Sequence, residues 1–370
     1  MFTKNVKIGV IGTGLIAQLA HIPAYIEAGA EVVGIADVVE SRLKYVSQKF
    51  SIPKVYTNYK DLLSNPDIDA VSICTPNYLH AKMTIDALNA RKAVLCEKPM
   101  AMNASEAQNM LETSQKTGKL LMMGFNNRFR GDAQKLKQFI DEGKLGKIYY
   151  AKIGYMRRRG TPKGWFTVKK ESGGGPVIDI GVHVIDLTRY LMGNPKPISV
   201  SASTYKYFPD YHIDGKYPWE SSDVKDGLRD GKENDVEDLA TAFIRFEDGS
   251  TIFVETSWAS NIAEDRFYID MLGTKMGAEI DSYNPIHKGS KNNEGFISLY
   301  GEELHSLVDY EVKTPEVRSH FEEIKYFVEL LKDEKPDLLD TAKNGVEIQK
   351  IIDAIYKSAE TKKEIIISTL

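Results

Sequence analysis

Cysteine is scarce. Only Cys74 and Cys96 occur in 370 residues, which excludes a disulfide framework and fits a reducing compartment. Long apolar runs are missing too. No stretch approaches the about 18 apolar residues a membrane span needs, so no membrane association is expected. The N-terminal stretch MFTKNVKIGVIGTG has no apolar run followed by a cleavage site, so no signal peptide is expected and the protein reads as cytoplasmic. Charge of one sign is also lacking: 48 basic residues face 52 acidic ones, for a net charge of −4. Such a chain has no global field to hold nucleic acid, and no nucleic-acid partner is expected. The seven histidines never fall at metal-ligand spacing with cysteines or carboxylates, so no metal is expected.

What is present suffices for a large fold. Hydrophobic residues make up 42% of the chain and charged residues 27%, and at roughly 150 residues per domain the length suggests two domains. From the N-terminus, short apolar runs alternate with helical spacing: KIGVIG (7–12), EVVGIAD (31–37), DAVSICT (69–75), AVLCE (93–97) and LLMMGF (120–125), with helices over 15–27, 41–50, 78–90 and 105–117. That rhythm predicts βαβ units, hence a doubly wound parallel sheet of the Rossmann kind over residues 1–125. After residue 126 the stretches 148–156, 198–207, 240–246, 251–258 and 266–272 lengthen and alternate, with a hairpin signal at Glu247-Asp248-Gly249. They predict an α+β domain over 126–370 with a large, mostly antiparallel, open-faced sheet. Residues 208–236 read as a long polar loop, and 341–358 as a helix.

The first strand ends in Gly12-Thr13-Gly14-Leu15-Ile16-Ala17, a G-x-G-x-x-A turn opening a helix. Gly12 permits the tight turn, Gly14 the approach of a pyrophosphate, and Ala17 close helix–strand packing, while the helix N-terminus favours phosphate. Asp37, twenty residues after Ala17, closes the second strand where a carboxylate accepts bonds from a ribose 2′-OH. A carboxylate there repels a 2′-phosphate, which favours NAD. Arg42 nearby softens that preference and leaves NADP open.

Two further motifs follow the ends of later strands: Thr75-Pro76-Asn77-Tyr78-Leu79-His80 and Glu97-Lys98-Pro99. A third is GGGPVIDIGVHVIDL over 173–187. With the nucleotide turn and AIYKSAETKK near the C-terminus, this ordered set resembles the Gfo/Idh/MocA oxidoreductases, named for glucose–fructose oxidoreductase and inositol dehydrogenase, over essentially the whole chain. The resemblance implies that Lys98 reaches both nicotinamide and substrate hydroxyl, and that Asp179 and His183 carry the proton. It also implies that Thr75, Pro76, Asn77, His80 and Glu97 line the cofactor. The second domain would hold a carbohydrate, cyclitol or related polyol and build homodimers or homotetramers.

The residues themselves allow this chemistry. Asp179 and His183, spaced i, i+4, share a face if the segment is helical. A hydride leaves a carbon only as its hydroxyl loses a proton; a histidine can take that proton, and a lysine steadies the developing alkoxide. Asp186 stands where it could support His183. Taken singly, Lys98 reads first as a surface ion pair and His183 as a hydrogen-bonded core residue, and Asp179 allows the reading of a helix N-terminal charge. Two other readings keep the fold: an NAD-dependent glycosidase-like enzyme with transient oxidation, and a non-catalytic nucleotide sensor. Asn126 and Arg128, after the last Rossmann strand, and Arg158 and Trp165, in and beyond the basic run Arg157-Arg158-Arg159, are candidate substrate contacts. Core packing and exposed ion pairs are the plainer readings of the last two. His21 is expected near the pyrophosphate.

Overall fold

The computed structural model describes residues 5–208, 220–227, 232–281, 296–333 and 336–369. Contacts divide the chain into two compact units, Met1–Asn126 with His320–Gln349, and Asn127–Ser319 with Lys350–Leu370. The first crossover therefore adjoins the expected 125/126 boundary. Residues 126–370 are nevertheless not one block, because His320–Gln349 returns to the first unit.

The first unit is built on six strands: β1 (Lys7–Ile11), β2 (Glu31–Ala36), β3 (Lys54–Tyr56), β4 (Ala70–Ile73), β5 (Ala93–Glu97) and β6 (Leu121–Gly124). All pair in parallel, in the order β3-β2-β1-β4-β5-β6. Strands β4, β5 and β6 are buried along their whole length, as expected of a sheet covered on both faces. The order reverses between β1 and β4, so a crevice opens beyond their carboxyl ends. Residues from the returning segment join this core: Ile324, Phe327 and Val328 are buried, and Met123 N donates to Thr341 Oγ1 at 2.9 Å. The first helix departs from expectation. It opens with a π turn, Ala17–His21, before the α-helix Ile22–Glu27.

The second unit carries a nine-stranded sheet: β7 (Ile148–Met156), β8 (Pro197–Tyr205), β9 (Leu239–Phe246), β10 (Thr251–Ser257), β11 (Arg266–Gly273), β12 (Gly277–Asp281), β13 (Phe296–Glu303), β14 (Ser306–Lys313) and β15 (Ile365–Ile366). Its order is β14-β13-β12-β11-β7-β10-β9-β8-β15, and every pairing is antiparallel except that of β7 with β10. The hairpin expected at Glu247-Asp248-Gly249 joins β9 to β10, with Gly249 at a φ of 83°. Alternation sets the two faces. Ala240, Ala242, Ile244, Ile252 and Val254 point inward, where the segment 177–191 packs on β7 and β10. Thr241, Phe243, Arg245, Phe253 and Glu255 occupy the other face and stay half-exposed. Most of the expected loop 208–236 lies outside the described residues, as do His212 and His287. Among the described residues, no helix is long and apolar enough to cross a membrane.

Candidate active site

The glycine-rich turn shows why its residues are what they are. Gly12 sits at a φ of 86°, and a Cβ on it would lie 2.6 Å from the Cys74 carbonyl oxygen, so only glycine fits. The Gly12 N–H donates to the Ala36 carbonyl at 2.8 Å, drawing the turn against the end of β2. Thr13 is fully buried. Its N–H and hydroxyl both donate to Asp37 Oδ2, each at 2.8 Å. The Val39 N–H reaches Asp37 Oδ1 at 3.0 Å, and Arg42 Nη1 lies 3.1 Å from Oδ2. The carboxylate expected at a ribose is thus fixed in advance by the turn and by Arg42. Gly12, Gly14, Leu15 and Ile16 remain partly exposed around this floor, and Ala17 is buried against the sheet. A bare backbone turn, a helix start and a fixed carboxylate fit a dinucleotide.

Beyond β4, Thr75-Pro76 leads into a 3₁₀ turn, Asn77–Leu79, and the helix His80–Asn89. His80 staples this loop to the next one. Its Nδ1 lies 2.7 Å from the Pro99 carbonyl and its Nε2 2.9 Å from that of Thr75. Burial lowers the His80 pKa, although both carbonyls act against it. Glu97 ends β5 and is buried. Its Oε1 meets His21 Nε2 at 2.7 Å, and its Oε2 accepts from the Lys98 N–H at 3.2 Å. Burial alone would raise the Glu97 carboxyl. The hydrogen bond and charge of His21, with His320 and Lys98, outweigh it and hold the pKa at about 2. The Lys98–Pro99 peptide is cis. Across residues 92–101, Lys98 alone is not buried. His21 is not at the surface where a pyrophosphate would lie; it is fully buried between Glu97 and Ser72. Asn126 is buried as well, with Nδ2 3.5 Å from His320 Nδ1.

In the second unit, the run Gly173-Gly174-Gly175-Pro176 opens a π turn, Val177–Gly181, continued by the α-helix Val182–Leu191. The glycines leave room for neighbours: a Cβ on Gly174 would strike Tyr356 Oη, and one on Gly175 the Glu237 carbonyl. Glu237 caps the turn. Its carboxylate accepts from the Gly175 N–H at 3.0 Å, the Val177 N–H at 3.4 Å and Tyr356 Oη at 2.8 Å. Burial raises its pKa despite these bonds. Asp179 Oδ2 accepts from Trp258 Nε1 at 3.0 Å. Over residues 174–191, only Asp179 and His183 escape burial. The sequence reading missed Trp258, Glu237 and Tyr356. Trp258 continues the inward parity of Ile252, Val254 and Thr256, which is the one signal that could have marked it.

Arg128 corrects an expectation. It is fully buried, and its guanidinium is committed to Asp186, with Nε 2.8 Å from Oδ2 and Nη2 2.6 Å from Oδ1. It braces the helix that carries His183 and is not a substrate contact. Asp186 likewise serves this pair. In the basic run, Arg158 is exposed and latched to a nearby turn, its N–H donating to Asp265 Oδ1 at 2.7 Å and its Nη1 to the Ala263 carbonyl at 3.0 Å. Arg159 donates to the Ser260 carbonyl at 2.8 Å and to Asn261 Oδ1 at 2.7 Å. Arg157 is the arginine whose charge bears on Asp179. Burial acts against its cation, but Tyr155 and Asp179 outweigh burial and raise its pKa. Trp165 is half-buried and stacks on Phe166, with centroids 3.9 Å apart. Among the described residues, no group of three or more His, Cys, Asp or Glu side chains is placed to hold a metal ion.

Comparison with known proteins agrees with these features. Residues 6–125 match the oxidoreductase family with an NAD-binding Rossmann fold, and 133–279 match the GFO/IDH/MocA C-terminal domain. The chain is 32% identical to D-glucoside 3-dehydrogenase of Escherichia coli K12 over 98% of its own length and 97% of that protein's. It is 26% identical to myo-inositol 2-dehydrogenase of Thermotoga maritima, over 97% and 98% of the two chains. A levoglucosan dehydrogenase solved with NADH and levoglucosan superposes with a TM-score of 0.83, at 22% identity over 98% of this chain and 100% of that one, a likeness of fold. The chain belongs to the Gfo/Idh/MocA family and is an NAD-dependent oxidoreductase acting on CH–OH groups.

Proposed function

We propose that this enzyme oxidises a secondary hydroxyl on the ring of a sugar or cyclitol, or reduces the matching ketone, with Lys98, Asp179 and His183 as its working groups. D-Glucosides are the substrate class to try first, given the relative with which it shares 32% identity. The observation that carries the assignment is selective exposure. Among residues 92–101 Lys98, and among residues 174–191 Asp179 and His183, are the only residues that reach solvent. Buried segments expose charged and titratable groups alone when those groups have work outside the core.

NAD, when bound, supplies the hydride acceptor. The protein does the rest. Gly12, Thr13, Gly14, Leu15 and Ile16 seat the phosphates, Asp37 takes the ribose, and Thr75, Pro76, Asn77, His80 and Glu97 shape the loops beside the nicotinamide. Arg42, paired with Asp37, tempers but does not reverse a preference for NAD over NADP. Lys98 lowers the cost of alkoxide formation, His183 accepts the hydroxyl proton, and Asp179, held by Trp258, orients or relays. Trp165 and Arg157 are the candidates for substrate contact in the second unit, with Arg158 further out and Asn126 in the first. We also infer a cytoplasmic homodimer or homotetramer built through the open sheet face, where Phe243 and Phe253 stay partly exposed. A monomer in light scattering would overturn that last reading.

The test follows nicotinamide absorbance with NAD and NADP separately, over alkyl D-glucosides, inositols, anhydrosugars and keto-sugars, for the native enzyme and Lys98→Ala. Turnover on one class that falls at least about a hundredfold in the variant supports the assignment. Tight NAD binding without turnover on any of them would remove the substrate class from consideration.

A further inference from the structure

We propose that His21 is a positioning residue for Lys98: through Glu97 it fixes the peptide N–H of Lys98 and so the aim of the lysine. This rests on the role given to Lys98 above. The residues involved all lie within the first unit.

His21 closes the π turn Ala17–His21 and is fully inaccessible to solvent. Its ring bridges two strands. Nδ1 lies 2.8 Å from Ser72 Oγ on β4, and Nε2 lies 2.7 Å from Glu97 Oε1 at the end of β5. Tyr25 Oη stands 2.8 Å from the same Ser72 hydroxyl. The other Glu97 oxygen, Oε2, accepts the Lys98 N–H at 3.2 Å.

Glu97 is an ionised carboxylate and can only accept, so His21 Nε2 carries a proton and donates to it. Tyr25, Ser72 and the other ring nitrogen of His21 are joined through the Ser72 hydroxyl, and the Lys98 N–H reaches the second Glu97 oxygen from the far side.

Such a network is costly in a sheet interior, where Val71, Ile73 and Leu95 are fully buried around it. Apolar side chains of similar volume would pack there at least as well. What they could not do is end in a fixed carboxylate oxygen at the Lys98 peptide. The π turn belongs to the same device. One extra residue in the turn swings the following side chains by about 100° relative to a regular helix, and such bulges gather at functional sites.

The test compares His21→Asn, whose amide cannot span to Glu97, with His21→Gln, whose terminal NH₂ can. Glu97→Gln weakens the same joint from the other side. Two readouts are taken: turnover at saturating substrate and NAD, and hydrogen exchange of the Lys98 amide in the protein without cofactor. We expect His21→Asn and Glu97→Gln to lower kcat by about ten- to a hundredfold, with KM for substrate within about twofold, and to speed exchange at Lys98. His21→Gln should restore most of both. Equal losses in the Asn and Gln variants, or unchanged exchange at Lys98 in His21→Asn, would overturn the proposal. Should His21→Asn fail to fold, His21→Gln and Glu97→Gln decide the matter: protected exchange in the first and faster exchange in the second support it, and the same rate in both overturns it. A Lys98→Ala enzyme that still turns over would instead remove Lys98 from the chemistry, while the exchange data still judge the link from His21 to its peptide.

Discussion

Asp37 is held by Thr13 and Arg42 before any nucleotide arrives. That arrangement makes cofactor choice a matter of one side chain. Asp37→Ser removes the repulsion of a 2′-phosphate and releases Arg42 to meet it. The variant should bind NAD about ten- to a hundredfold more weakly, the worth of a charged hydrogen-bond acceptor, and its preference should shift toward NADP by at least about tenfold. Titration of both nucleotides checks this, and an unmoved ratio would place Asp37 away from the ribose. Two histidines, the buried His80 and the partly buried His320, set the pH response of the same unit. Burial lowers both pKa values below the ordinary 6.5. The folded state then binds fewer protons than the unfolded chain, so stability is complete above pH 6.5 and falls as pH drops below it. Each histidine steepens that fall by at most about 1.4 kcal/mol per pH unit. Urea midpoints for the native chain should decline between pH 7 and pH 5.5, and His320→Asn should flatten the decline. A pH-independent midpoint would refute the burial argument.

Asp179 and His183 sit at the irregular start of a helix. The helix after β1 and the one bearing Asp179 both begin with a π turn. Glu237 holds the second of these by accepting from Gly175, Val177 and Tyr356. Glu237→Ala would orphan three buried donors and should cost about 3 kcal/mol or more, whereas Glu237→Gln keeps an acceptor and should cost far less. Chemical unfolding measures both; similar losses would mean that the cavity and not the cap matters. Elements of this kind were only partly legible in the sequence. Strand β7 could be bounded from its alternation alone, since Ala151 and Ile153 must face a core. The cap could not, because Glu237 lies 60 residues from Val177 and nothing local links them. Strand β14 was missed for another reason: Leu307 is 89% exposed, so this edge strand buries no face and leaves no alternation to read. Gly12 could be named from the spacing of its turn, and Lys98, Asp179 and His183 from the family resemblance. Their supports, Trp258 and His21, act across strands and became visible only with the fold.

At the scale of the molecule, the chain crosses between its units near where its rhythm changes, at Asn126, and then crosses back at His320. The helix Ser319–Asp333 buries Ile324, Phe327, Val328 and Leu330 on one face. Periodicity says that such a face is covered, not which of two sheets covers it. In the fold, His320–Gln349 belongs with the nucleotide-binding unit. There Phe327 is fully buried, Thr341 bonds the β6 backbone at Met123, and a Cβ on Gly345 would lie 2.8 Å from the sulfur of Met100. A fragment ending at residue 126 should therefore expose the core that these helices cover. Losing a buried Phe and two aliphatic neighbours forfeits several kcal/mol, a large part of the about 5–15 kcal/mol that holds a domain together. We expect residues 1–126 alone to be insoluble or molten. The same segment joined through a flexible linker to 320–349 should unfold cooperatively and bind NAD within about tenfold of the whole enzyme. A well-folded, NAD-binding 1–126 fragment would show that the returning helices are dispensable, and that the nucleotide unit ends where the sequence changes rhythm.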